Sequence, residues 1–131
     1  MKLFNYRYML LAAFCVLLGA CQSTPTADQI AQQQRAAAIA QLEQNLASSE
    51  LATAEDELAT LQAQTPDDPQ WVQYQRQLAE AYLQRSQIFL QKGDVNAAAT
   101  ALSRARTLMP KAPALTSGVN SAIAHARKAE L

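Results

Sequence analysis

Few groups in this chain could carry out chemistry. His125 is the one histidine among 131 residues, so a metal site built on paired imidazoles is excluded. Ser48-Ser49 and Ser103 lie outside the G-x-S-x-G and S-x-x-K settings that activate a serine nucleophile. Carboxylates run together at Glu55-Asp56-Glu57 and Asp67-Asp68. Neighbouring residues on a helix point in different directions, so such runs solvate a helix end and do not converge on a metal. His125 stands near Arg127 and Lys128 and reads as a surface residue of the last helix. Cys15 and Cys21 belong to an apolar N-terminal stretch, and their chemistry depends on what becomes of it. The expectation is a chain that is not an enzyme and holds no metal and no cofactor.

The elements that position these groups are helices. Half of the chain is apolar, yet Gly19, Gly93 and Gly118 are its three glycines. Alanine, leucine and glutamine dominate, and strand-favouring β-branched and aromatic residues are sparse. Pro66, Pro69, Pro110 and Pro113 should each stop a helix just ahead of them. Gly93-Asp94 reads as a C-cap glycine followed by an N-cap aspartate. The map is therefore helices near 28–47, 50–64, 69–92, 94–109 and 113–130, the first two joined or parted by the weaker Ser48-Ser49 break. In the last of these, Leu115, Val119, Ala122, Ile123 and Ala126 form a single apolar stripe that suits a capping helix. The third helix carries Trp71, Tyr74, Leu78, Tyr82 and Phe89 on one side and Val72, Ala79, Leu83 and Leu90 on another. Apolar residues on two sides predict a helix packed between neighbours.

Sliding the sequence against itself by 44 residues aligns Leu51, Ala54, Leu58, Leu61 and Pro66 with Val95, Ala98, Leu102, Ala105 and Pro110. The same shift places Ile39 and Leu46 on Leu83 and Leu90. The fold class expected is all-α: two helical hairpins and a C-terminal capping helix, a short α-solenoid spanning 28–131. Charge is uneven along it. Residues 22–66 hold one base and six acids, whereas 67–131 hold eight bases and five acids. Such asymmetry can orient a domain against a charged partner, but no dense Lys/Arg face suits nucleic acid.

Lys2 and Arg7 precede an apolar run, Met9 to Leu18. At about ten residues, or roughly 15 Å as a helix, it is too short to span a bilayer core of ~30 Å. These features predict a signal peptide over 1–20. Leu18-Gly19-Ala20-Cys21 resembles the bacterial lipobox. The resemblance implies that Cys21 carries the lipid and that 21–27 forms a tether, about 15–20 Å if extended. Cys15 would leave with the leader, so the mature domain would have no internal disulfide. Gln22 stands after the cysteine where an aspartate would signal inner-membrane retention. The resemblance thus implies an outer-membrane, periplasm-facing location.

Tyr82, Ser86, Phe89, Gly93, Ala98, Leu102, Ala105 and Pro110 resemble the tetratricopeptide pattern at that family's spacing. Arg85 departs from it, and the 44-residue period exceeds the family's through a lengthened first helix. The resemblance implies a groove for an extended peptide or a partner helix, lined by Glu80, Leu83, Gln87, Leu90 and Gln91, with Ile39 and Glu43 as first-hairpin counterparts. Core packing is the competing reading of Leu83 and Leu90. Trp71, just after Pro69, is either core or an exposed anchor. The function implied is a protein-binding adaptor that engages an envelope protein, in its most concrete form a class A penicillin-binding protein that builds peptidoglycan. The alternatives are a pilotin or outer-membrane assembly factor, and a structural envelope lipoprotein. Two hairpins are near the minimum for a stable solenoid, which leaves room for a homodimer.

Overall fold

The computed structural model describes residues 24–131, so the expected signal peptide 1–20 and lipidated Cys21 lie outside the described residues. Among the described residues there are five helices and no strand. They are α1 Ala27–Ala47, α2 Leu51–Gln64, α3 Gln70–Gln91, α4 Val95–Leu108 and α5 Ala114–Ala129. The chain is all-α as expected, with each end within one residue of its expected position. It divides into two compact units after Gln33. Of the first, residues 24–33 hold the start of α1. There the Thr26 N–H donates to Gln29 Oε1 (3.0 Å) and the Gln29 N–H to Thr26 Oγ1 (3.4 Å), a capping box that satisfies otherwise orphaned amides. The second unit, Gln34–Leu131, holds the rest of α1 and the other four helices.

Within this second unit the hairpin occurs twice. Ala47 and Gln91, Leu51 and Val95, Gln64 and Leu108, and Gln70 and Ala114 mark matching helix ends, each pair 44 residues apart. The turns match as well. After α1, Glu50 N–H donates to Asn45 O (2.9 Å) and Ser49 N–H to Leu46 O (3.3 Å); after α3, Asp94 N–H donates to Phe89 O (2.9 Å) and Gly93 N–H to Leu90 O (3.0 Å). Each is a Schellman turn, which needs a left-handed residue at its centre. Gly93 takes φ 79° there, and Ser49 takes φ 63°. Ser49 therefore parts α1 from α2 and resolves the weaker break. Asp94 caps α4 as expected, accepting the Ala97 N–H (3.0 Å). The linkers that close each hairpin repeat too: Asp68 N–H to Thr65 O (3.3 Å) has its counterpart in Ala112 N–H to Met109 O (3.1 Å).

The 44-residue period places its extra length in the first helix of each hairpin, 21 and 22 residues against 14 in each second helix. The main core joins Leu42, Leu51, Ala54, Leu58 and Leu61 to Trp71, Tyr74, Leu78 and Tyr82, with Ala101 and Ala105 from α4. A smaller cluster joins Val95, Ala98 and Leu102 to Val119 and Ile123. Leu83 and Phe89 pack against both. Alanines at the crossings let helix axes approach closely. At the α3–α4 crossing, Ser86 is fully buried and donates its hydroxyl to Ala98 O at 2.7 Å.

Two apolar stripes differ from expectation. Val72 is 54 % exposed, so only Ala79, Leu83 and Leu90 make the second apolar side of α3. On α5, Leu115 and Ala122 are exposed while Thr116, Val119 and Ile123 are buried. The stripe is turned by about one position at the start of the helix. Thr116 tolerates burial because its hydroxyl donates to Pro113 O at 3.1 Å.

Candidate functional site

Helical spacing places Glu80, Leu83, Gln87, Leu90 and Gln91 along one side of α3. Glu80, Gln87 and Gln91 are exposed. Leu83 and Leu90 are half-buried: Leu83 packs against both clusters, and Leu90 packs against the cluster that includes Val119 and Ile123 of α5. The side is thus a polar ridge with an apolar flank already engaged by the fold, and the core reading holds for both leucines. In the first hairpin, Ile39 is half-buried against the main core. Glu43 is exposed and accepts the Tyr74 hydroxyl at 2.6 Å. Burial, followed by that carboxylate, raises the Tyr74 phenol above its usual range.

Trp71 is core and not an exposed anchor. It is 2 % exposed, and its indole N–H donates to Thr65 O at 2.7 Å, filling the acceptor at the end of α2. The Arg35 guanidinium lies over the indole, 5.3 Å from the ring centre, and also pairs with Asp68. Asp68 accepts the Gln70 N–H at 2.9 Å. That backbone bond leads in holding its carboxyl below the ordinary range; partial burial opposes it and Arg35 reinforces it. One arginine of α1 thereby fastens the linker that starts α3.

Within the Glu55-Asp56-Glu57 run, Glu55 and Glu57 turn to different partners, while Asp56 and Glu57 line one crevice. Glu55 accepts the Tyr82 hydroxyl at 2.9 Å and pairs with Arg104 at 3.3 Å, bridging α2 to α3 and α4. Burial, then the Glu55 carboxylate, pushes the Tyr82 phenol up to about 12. Glu57 instead accepts the Asn45 side-chain amide at 2.8 Å. Among the described residues no group of three or more His, Cys, Asp or Glu is placed to hold a metal ion. No described helix is long and apolar enough to cross a membrane.

Each hairpin has a crevice between its two helices. That of the first, ≈ 300 Å³, is lined by Ala38 and Gln41 of α1 and by Thr53, Asp56, Glu57, Thr60, Leu61 and Gln64 of α2. That of the second, ≈ 410 Å³, is lined by Tyr82, Arg85 and Phe89 of α3, by Ala97, Thr100, Ala101 and Arg104 of α4, and by Ala52 of α2. A shift of 44 residues carries Ala38, Gln41, Thr53, Asp56, Glu57 and Thr60 onto Tyr82, Arg85, Ala97, Thr100, Ala101 and Arg104. The two crevices occupy equivalent positions of the two hairpins. Sequence reasoning missed this because the paired positions do not keep their residue types, although the same 44-residue shift relates them.

Comparison with known proteins adds no assignment: no family model, no curated protein and no solved structure matches the chain.

Proposed function

We propose that this chain is a lipoprotein held through Cys21 at the periplasmic side of the outer membrane, and that its stacked hairpins form an adaptor that binds an envelope protein. The repeated hairpin carries this reading. It presents Glu80, Gln87 and Gln91 in an exposed row on α3, beside leucines packed against the core. A row of amides and a carboxylate on a fixed helix can exchange hydrogen bonds with a partner without the cost of ordering a loop. Leu18-Gly19-Ala20-Cys21 supports the anchor. The uneven charge supports an oriented encounter.

The partner we put forward is a class A penicillin-binding protein. The test uses the full chain with such a synthase from the same cell. Retention on the immobilised chain and faster glycan polymerisation are expected, both weakened by Gln87→Ala with Gln91→Ala. No retention and no stimulation would remove this partner. A Cys21→Ser chain should lose acyl label and leave the membrane fraction; an acylated Cys21→Ser chain would remove the anchor.

A further inference from the structure

The paired crevices show what such a surface takes. In the second hairpin the crevice is occupied along one edge by α2 of the first. Ala52 lines it, Glu55 reaches Tyr82 and Arg104, and Ala101, Ala105 and Leu108 pack into the main core beside Leu51 and Leu58. In the first hairpin the equivalent positions, Glu57, Leu61 and Gln64, line an open crevice instead. No other helix of residues 34–131 lines it. Among the described residues of this unit, one copy of the surface therefore has a neighbouring helix along its edge and the other has none.

The two copies differ in charge, and the difference selects the occupant. The used copy offers Arg85 and Arg104 and receives a helix bearing a carboxylate, Glu55. The open copy has Gln41 and Thr60 at the two arginine positions, and Asp56 and Glu57 where the other has Thr100 and Ala101. We infer that the open crevice of the first hairpin docks an amphipathic helix of a partner protein, one that seats small apolar residues between α1 and α2 and presents Lys or Arg to Asp56 and Glu57. The α2 helix of a second copy does not suit it: that helix has no Lys or Arg to offer the two carboxylates, and its Glu55 would find Thr60 where the used copy has Arg104. This surface is separate from the exposed α3 row, and its test does not depend on that row.

The probe is a stapled helical peptide of the length of α2, with alanine and leucine on one face and lysines flanking them. A counterpart with glutamates in place of the lysines is the control. Binding to the full chain is followed by fluorescence anisotropy. The lysine peptide should bind and the glutamate peptide should not, and added salt should weaken the complex. Asp56→Asn with Glu57→Gln should weaken binding about tenfold, near 1.4 kcal/mol. Arg85→Gln, in the used copy, should leave it unchanged. Asp56 is exposed, so Asp56→Asn alone guards against a folding defect and should lose part of the affinity. Equal binding of the two peptides, indifference to both carboxylate variants, or no binding of the lysine peptide would each overturn the inference. If the α3-row substitutions abolish synthase binding while leaving peptide binding intact, the two surfaces are distinct as argued.

Discussion

Ser49 offers the sharpest test of the repeat, because it does a glycine's work without being one. It holds φ 63° at the centre of the first Schellman turn, where the second turn has Gly93 at φ 79°. A left-handed conformation costs a residue with a Cβ about 1–2 kcal/mol, while glycine loses roughly 0.5–1 kcal/mol through its extra chain entropy. Ser49 is exposed, and its neighbour Ser48 makes the side-chain bonds of this turn, to Gln44 O and Asn45 O. Replacing Ser49 therefore removes strain and little else. Ser49→Gly should stabilise the domain by about 0.5–1 kcal/mol, raising the melting temperature by roughly 2–8 °C for a domain near 100 residues. Ser49→Asn should fall between serine and glycine, since asparagine tolerates this region. The mirror experiment is Gly93→Ser. A Cβ at Gly93 would meet nothing within 4 Å, so its loss should be torsional and of similar size. Thermal melts followed by circular dichroism, with urea denaturation to check that the slope is unchanged, measure all three. A Ser49→Gly chain no more stable than the parent would refute the equivalence of the two turns.

Tyr82 makes an alkaline prediction. Its phenol is raised to about 12, so the neutral form is favoured by folding; the stability it contributes is full below about pH 10 and falls as pH rises toward 12. Tyr82→Phe should lose about 1 kcal/mol at neutral pH and flatten that alkaline decline in urea titrations. Asp68 gives the acid counterpart: its lowered carboxyl contributes stability above the unfolded value of about 3.9, lost as pH falls through the folded one. Asp68→Asn should remove that acid-sensitive part of the melting curve. At the α3–α4 crossing, Ser86→Ala should cost about 1 kcal/mol for the bond to Ala98 O. Ser86→Leu should cost about 1–3 kcal/mol through overpacking, more than the alanine change, as read by denaturant midpoint.

Local signals carried the helix map. Prolines at 66, 69, 110 and 113 and the Gly93-Asp94 pair act through backbone sterics and capping, which a sequence displays directly. The 44-residue period was visible for the same reason: buried positions such as Ala54 and Ala98, or Leu58 and Leu102, keep their type. Contacts between distant residues were not visible. Arg35 finds Asp68 and Trp71 only after α1 and α3 have packed, and the indole that looked available as an anchor is consumed there. Val72 and Leu115 are apolar by type yet 54 % and 42 % exposed, because which positions are buried depends on where the neighbouring helices pack. The row Glu80, Gln87 and Gln91 was legible; that α5 would engage the leucines between them was not.

The last helix is held lightly. Its buried apolar grip is Val119 and Ile123 on a cluster of their own, worth about 3–6 kcal/mol before any entropy is counted. A 16-residue helix detached in water is marginal by itself. Fluctuations that peel the C-terminal end away are therefore low-energy openings and need not disturb the larger core. Each such opening uncovers part of Leu83 and Leu90, so the apolar area that a visitor meets on α3 varies with the tail's momentary departure.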